Sequence, residues 1–356
     1  MMPMLDLLDR LIGFPTVSRD SNLALIDWAQ ALLVDAGFDV TRIPSPCGHK
    51  AGLVANRGGT GGTILSAHVD VVPTEGQPWT RDPFALTREG TRLYGRGTTD
   101  MKGFVACALA LAQDLPPGAG PVSIVLSWDE ELGCVGIPHM MDAVRALGPQ
   151  KLCVVGEPTS LRMATGHKGK IAWRALCSGE AGHSAMAPMY RNALHGACDL
   201  VAALRREQAA LIDHGATEDG YDVPTSTLHV GVLRGGTALN IVPDSAEVLF
   251  EARHLAADAP ADLLARVMDG LDGIEVTKTF AYPGLAAHPD DAALAQVRAL
   301  SRGLTKVSYG TEAGFFAPLL PTVVCGPGDM AQGHQPDEFI ELSQLTGCMD
   351  MLRALV

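Results

Sequence analysis

Four short apolar runs in this sequence each end in a cluster of acids or histidine. Thr63-Ile-Leu-Ser-Ala67 runs into His68-Val-Asp70, and Val122 to Ser127 precedes Asp129-Glu130-Glu131. Lys151 to Val155 precedes Gly156-Glu157-Pro158, and Pro321 to Cys325 leads into a glycine-rich loop that carries His334. Each run is aliphatic or β-branched and bounded by Gly or Pro, without the polar alternation of a strand that has one wet face. Segments with helical spacing, Phe104 to Leu115 and Ile137 to Leu147, fall between them. Strands of this kind interleaved with helices predict an α/β fold, a doubly wound and mostly parallel sheet covered on both faces. In such sheets the ligand crevice lies outside the carboxyl ends of the strands, so the four polar clusters can converge.

The texture changes between Lys168 and Tyr282. The order becomes strand (Ile171 to Cys177), long helix (Asn192 to Ile212), strand (Thr227 to Leu233), strand (Ala246 to His254), helix (Ala261 to Leu271) and strand (Ile274 to Phe280). This β-α-β-β-α-β order is a self-contained, ferredoxin-like unit. The expected organisation is therefore one discontinuous domain, residues 1–167 and 283–356, with residues 168–282 inserted as a second domain. In the first, Leu5, Leu8, Leu11 and Ile12 have helical spacing, as do Leu23 to Val34, Asp291 to Gly303 and the final Leu342 to Leu355.

Charge and motifs exclude several function classes. The 356 residues hold 27 basic and 40 acidic side chains, a formal charge of −13, which argues against binding nucleic acid by phosphate neutralisation. Acid at Asp6 and the absence of a basic, then apolar start give no secretory signal, and the apolar stretch from Phe104 to Ala112 is too short to cross a bilayer. A cytoplasmic protein without membrane association is expected. The eight cysteines form no C-x-x-C pair and are expected to be buried, reduced and not metal-binding. Gly95-Arg-Gly97 lacks the third glycine of a dinucleotide fingerprint, and neither a phosphate loop nor a G-x-S-x-G elbow is present.

The strand-end clusters supply two imidazoles and three carboxylates: His68, Asp100, Glu131, Glu157 and His334. Imidazole with carboxylate suits zinc, cobalt or manganese, and five ligands suggest two ions sharing one carboxylate. Asp100 lies between a glycine-rich loop and the start of an apolar helix, where it could equally serve as helix N-cap. His68 and Asp70, two residues apart in an extended segment, face the same way, which lets Asp70 orient the imidazole. Glu130 and Glu131 point to opposite sides, so one can bind metal while the other faces a reacting water; a solvated acidic turn is the alternative.

These segments resemble the di-zinc aminoacylase and carboxypeptidase family that includes acetylornithine deacetylase and succinyl-diaminopimelate desuccinylase. The resemblance rests on Ser66-Ala-His-Val-Asp-Val-Val-Pro73, Tyr94-Gly-Arg-Gly-Thr-Thr-Asp-Met-Lys-Gly103, Asp129-Glu-Glu131, Gly156-Glu-Pro-Thr159 and Gly182-His-Ser184. It is nearest to the acetylornithine deacetylase branch, through Trp79-Thr-Arg-Asp-Pro-Phe84, His167-Lys-Gly169, Tyr309-Gly-Thr-Glu-Ala313 and Gly333-His-Gln-Pro-Asp-Glu338. Glu312, where other branches usually carry aspartate, is the main mark of that branch.

The resemblance implies two divalent ions, Zn2+ or alternatively Co2+, with Asp100 bridging. Glu131 and His334 would complete one site, His68 and Glu157 the other. It implies Glu130 as general base, Asp70 as partner of His68, and a homodimer formed through the insert, whose His183 would stabilise an oxyanion in the partner's site. Asn240 and Arg253 match substrate-contacting positions, and Glu312 is a candidate for the substrate's amino group. The expected activity is hydrolysis of the small molecule N2-acetyl-L-ornithine to L-ornithine and acetate, a step of arginine biosynthesis. Acetylcitrulline, succinyl-diaminopimelate or another N-acyl amino acid is the alternative substrate, and a non-catalytic metal-binding scaffold the alternative class.

Overall fold

A computed structural model describes residues 2–356. The chain divides into two compact units, the second consisting of His167–Gly284 and Ser308–Gly310 and the first of the remainder.

In the first unit the four apolar runs form strands Thr63–His68, Val122–Ser127, Leu152–Pro158 and Thr322–Gly326, and every residue in them is buried. Burial on both faces explains why none shows polar alternation. They lie side by side and parallel, in the order Val122–Ser127, Thr63–His68, Leu152–Pro158, Thr322–Gly326. Among these four, Thr63–His68 thus has the next strand in sequence on one side and the one after that on the other. This reversal of strand order is where a ligand crevice opens at the carboxyl ends. Antiparallel strands flank the parallel centre: Ala51–Arg57 and Asp39–Pro44 on one side, Met163–His167 on the other.

Helix Lys102–Asp114 joins the first two parallel strands and is buried from Lys102 to Ala112, an apolar helix with no wet face. It packs with Met4–Ile12, Leu23–Asp35 and the last helix, Leu342–Leu355, in one core. Its Phe104 ring lies so close to Gly156 that a Cβ there would come within 2.0 Å of it, so the residue before Glu157 has to be glycine.

The remaining differences from expectation have local causes. The strands Thr87–Glu89, Arg92–Tyr94 and Phe339–Glu341 form a small sheet that no apolar run announces, being short and largely polar. The helix expected from Asp291 to Gly303 is broken: a 3-10 turn, Ala292–Leu294, is capped by the Asp291 side chain, and the α-helix covers only Ala295–Leu300. All eight cysteines are free as expected, but Cys47 and Cys198 are exposed, correcting the expectation of burial. Cys47 lies in a polar turn and Cys198 on the wet side of an amphipathic helix, where a small thiol needs no core.

The second unit follows the β-α-β-β-α-β order. Its antiparallel sheet runs Thr227–Gly235, Ser245–His254, Gly169–Ser178, Ile274–Tyr282. Alternate residues Ala246, Val248, Phe250 and Ala252 are buried, as period-two patterning requires, in a core shared with Leu200 and Leu204 of Ala193–His214 and Leu263 and Val267 of Pro260–Met268. No helix among the described residues is long and apolar enough to cross a membrane.

Candidate metal centre

His68 is the last residue of its strand and is 1% exposed. Its Nε2 stands 3.2 Å from Asp100 Oδ1 and 3.7 Å from Oε1 of Glu157, which the neighbouring parallel strand delivers at its own carboxyl end. The other ring nitrogen, Nδ1, is 3.0 Å from the Asp70 carbonyl oxygen and 3.5 Å from Asp70 Oδ1. Asp70 therefore orients the imidazole more closely through its main chain than through its carboxylate.

Asp100 does not cap the helix that follows it, whose N-cap position is Met101. Its two oxygens face two imidazoles instead, Oδ1 toward His68 and Oδ2 at 3.1 Å from His334 Nε2. His334 Nε2 is also 3.1 Å from Glu131 Oε2. One buried carboxylate thus lies between His68 with Glu157 and His334 with Glu131. Two triads have ligand atoms within 4.8 Å of one another, His68, Glu130, Glu157 and His68, Asp100, Glu131. Glu130 accordingly stands within reach of the same space as the ligand candidates, and its neighbour Glu131 approaches both histidines.

The electrostatics of this cluster call for positive charge. Burial pushes Glu130 and Glu157 well above the usual carboxylate range, and burial with the Asp100 charge pushes Glu131 up to about 7. Burial would also raise Asp100, but its bonds to His334 and His68 win and hold it low. Burial alone would lower His68, yet Glu157, Asp100 and Asp70 together raise it, and hydrogen bonds donated to the Asp100 and Glu131 carboxylates raise His334 to about 10. Excess carboxylate is being neutralised by protons. A divalent cation would replace those protons, and an imidazole and carboxylate donor set suits a first-row divalent ion, so these residues fit a metal.

The supporting residues were not legible as motifs. The Asp70 carboxylate accepts Ser18 Oγ at 2.7 Å and the backbone N–H groups of Glu130 at 3.1 Å and Glu131 at 3.3 Å. Lys50 donates to Asp129 and to the Ser18 carbonyl, tying down the same loop, where Asp129 has φ 54. Cys134 Sγ donates to Glu130 Oε1 at 3.3 Å. Ser18 and Lys50 sit in polar turns with no periodicity or spacing to single them out. Glu312 is 1% exposed, and burial raises it to about 7 against the opposing influence of Ser127 and His68.

The sequence pattern of Peptidase family M20/M25/M40 matches residues 64–356. The chain belongs to this family. Acetylornithine deacetylase of Klebsiella pneumoniae (strain 342) is 32% identical over 375 residues, 99% of this chain and 97% of the relative. Among solved structures, the aminopeptidase PepT of Bacillus cereus superposes with a TM-score of 0.78 at 17% identity, over 99% of this chain and 97% of that one. A dinuclear metal-binding M20 peptidase of Bacillus subtilis gives 0.70 at 16% identity, over 99% and 96%. The M20 family consists of metal-dependent hydrolases of small molecules, typically with a dinuclear centre, and this chain brings together candidate ligand groups for a metal.

Three further M20 candidates lie in the second unit. His183, exposed, accepts the Ala185 N–H on Nδ1 at 3.1 Å. Asn240 is exposed and its carbonyl accepts the Ser184 N–H at 3.1 Å, which holds the two segments together. Arg253 donates to Tyr282 Oη at 2.6 Å and to Glu251 Oε1 at 3.1 Å. Glu251 is two residues away on the same strand, but the pairing with Tyr282 was invisible in sequence, because sheet register through Lys170 supplies that partner.

Proposed function

We propose that this M20 chain is an N-acyl-amino-acid deacylase whose substrate is N2-acetyl-L-ornithine, with Glu130 as the general base. The observation that carries the reading is the place of Glu130, whose carboxylate shares the ligand space of His68 and Glu157 while its backbone is bound to Asp70. His68, Asp100, Glu131, Glu157 and His334 would hold two divalent ions, zinc foremost and cobalt as substitute. Such ions supply Lewis acidity toward an acyl oxygen and lower the pKa of water.

Glu130 takes a proton from the attacking water and later delivers one to the departing α-amine. Its burial raises its proton affinity, which suits a group that must both accept and return a proton near neutrality. His183 would place an N–H against the oxyanion, acting from a partner subunit paired through the second unit. Arg253 would pair with the substrate's carboxylate, and Asn240 would orient it. Glu312 acts electrostatically on Glu130 and so adds negative charge near the base, which favours a substrate carrying an ammonium group. The full-length likeness to the bacterial acetylornithine deacetylase supports the substrate and, with it, action in the cytoplasm.

A panel of acetylornithine, acetylcitrulline, acetylmethionine and succinyl-diaminopimelate tests this. The highest kcat/KM is expected for acetylornithine. Preference for a neutral or succinylated compound overturns the substrate, and metal binding without hydrolysis of any member overturns the activity.

A further inference from the structure

Arg96 and Glu338 form an ion pair, Nη1 to Oε2 at 2.7 Å, with side chains 1% and 0% exposed. The pair lies between two loops that both feed the candidate metal centre. Beyond Arg96, the Glu338 carboxylate accepts three backbone N–H groups from the Asp100 loop: Gly97 at 3.0 Å, Thr99 at 2.9 Å and Asp100 itself at 3.1 Å. Glu338 is four residues beyond His334, and its own carbonyl accepts the Gly95 N–H at 2.9 Å. Arg96 continues the connection, its Nη2 donating to Gln77 Oε1 at 2.5 Å, while Gln77 Nε2 donates to the His334 carbonyl at 2.9 Å. Asp100 and His334, 234 positions apart in the chain, are thus joined through one buried carboxylate, one guanidinium and the Gln77 amide.

We infer that Arg96 and Glu338 are positioning residues that set the separation of Asp100 from His334 and so govern the occupancy of the ion held by His334 and Glu131. The inference rests on reading Asp100 and His334 as metal ligands. The two metal positions depend on the clamp unequally. His68 and Glu157 are delivered by buried parallel strands and keep their places without it. His334 sits in a loop at φ 61, with 48% of its side chain exposed, and the main-chain anchor next to it is Gln77. A buried carboxylate that binds a guanidinium and three amides has little freedom to shift, and removing its charge strands Arg96 unpaired.

The test is zinc titration by equilibrium dialysis with elemental analysis on the full chain, comparing wild type, Glu338→Gln, Gln77→Ala and His334→Ala. Wild type is expected to bind two ions. Glu338→Gln and Gln77→Ala are expected to keep the tighter ion and weaken the second by about 10- to 100-fold, the usual cost of losing an outer partner of a ligand, approaching the pattern of His334→Ala. A general loss of structure would instead weaken both ions together. Gln77 is only half-buried, so its variant decides the matter if Glu338→Gln does not fold. Two ions bound with unchanged affinities in Gln77→Ala or in folded Glu338→Gln overturns the clamp. A wild-type chain that binds no pair of ions overturns the ligand assignment beneath it.

Discussion

The carboxylate of Asp70 accepts the backbone N–H of Glu130 at 3.1 Å, while its carbonyl oxygen lies 3.0 Å from His68 Nδ1. One residue therefore orients both an imidazole at a strand end and the acid proposed as base. Ser18 Oγ and the Glu131 N–H occupy the other carboxylate oxygen, so both oxygens of Asp70 are engaged.

Asp70→Asn tests that double duty. The amide has one oxygen acceptor where the carboxylate offers two, and its NH2 would face a donor N–H or hydroxyl. The Glu130 loop should shift while His68 keeps its main-chain partner. A fall in kcat of about 10- to 100-fold with zinc content retained is expected. Unchanged kcat would show that Asp70 does not position the base.

Glu130→Gln preserves shape and removes the proton acceptor. Turnover of acetylornithine should fall by about 10²- to 10⁴-fold. Elemental analysis should still find the metal of the wild-type chain, since five other ligand candidates remain. Near-normal turnover would remove Glu130 from the role of base.

Metal binding should release protons. His334 is raised to about 10 and Glu131 to about 7, so at pH 7 the first is protonated and the second half so in the metal-free chain. Ligation requires the unprotonated forms, and affinity should therefore rise with pH and weaken as pH falls from 8 to 6. Calorimetric zinc titrations in buffers of different ionisation enthalpy would count the protons. Heats independent of buffer would refute the coupling.

The doubly wound sheet was legible because four strands buried on both faces must be apolar without alternation, and His68 and Glu157 were legible because they end such strands. Asp100 was ambiguous between cap and ligand, since local sequence cannot say which way a side chain turns; the structure turns it toward two histidines. Glu338 lay in plain view four residues after His334, but its partners are backbone amides some 240 residues earlier, and backbone amides carry no sequence signature. Short strands such as Arg92–Tyr94, the centre of the three-stranded sheet, were missed for a related reason, being held by pairing on both sides and not by their own hydrophobicity.

Glu312 offers a test of stability in which the sign is decisive. Its folded pKa, about 7, lies above the ordinary 4.5 because burial of the carboxylate outweighs the opposing pull of Ser127 and His68. Between those values the folded state binds the extra proton, so rising pH costs stability, and above pH 7 the full penalty applies. At about 1.4 kcal/mol per unit, that penalty is on the order of 3 kcal/mol. Glu312→Gln removes the charge at nearly constant shape. The metal-free variant should therefore be more stable than wild type in urea unfolding at pH 8, with the advantage shrinking toward pH 5. Because the same charge acts on Glu130, the variant should also lose preference for acetylornithine over acetylmethionine. Equal stability at pH 8 would mean that burial of the charged carboxylate costs the folded chain nothing.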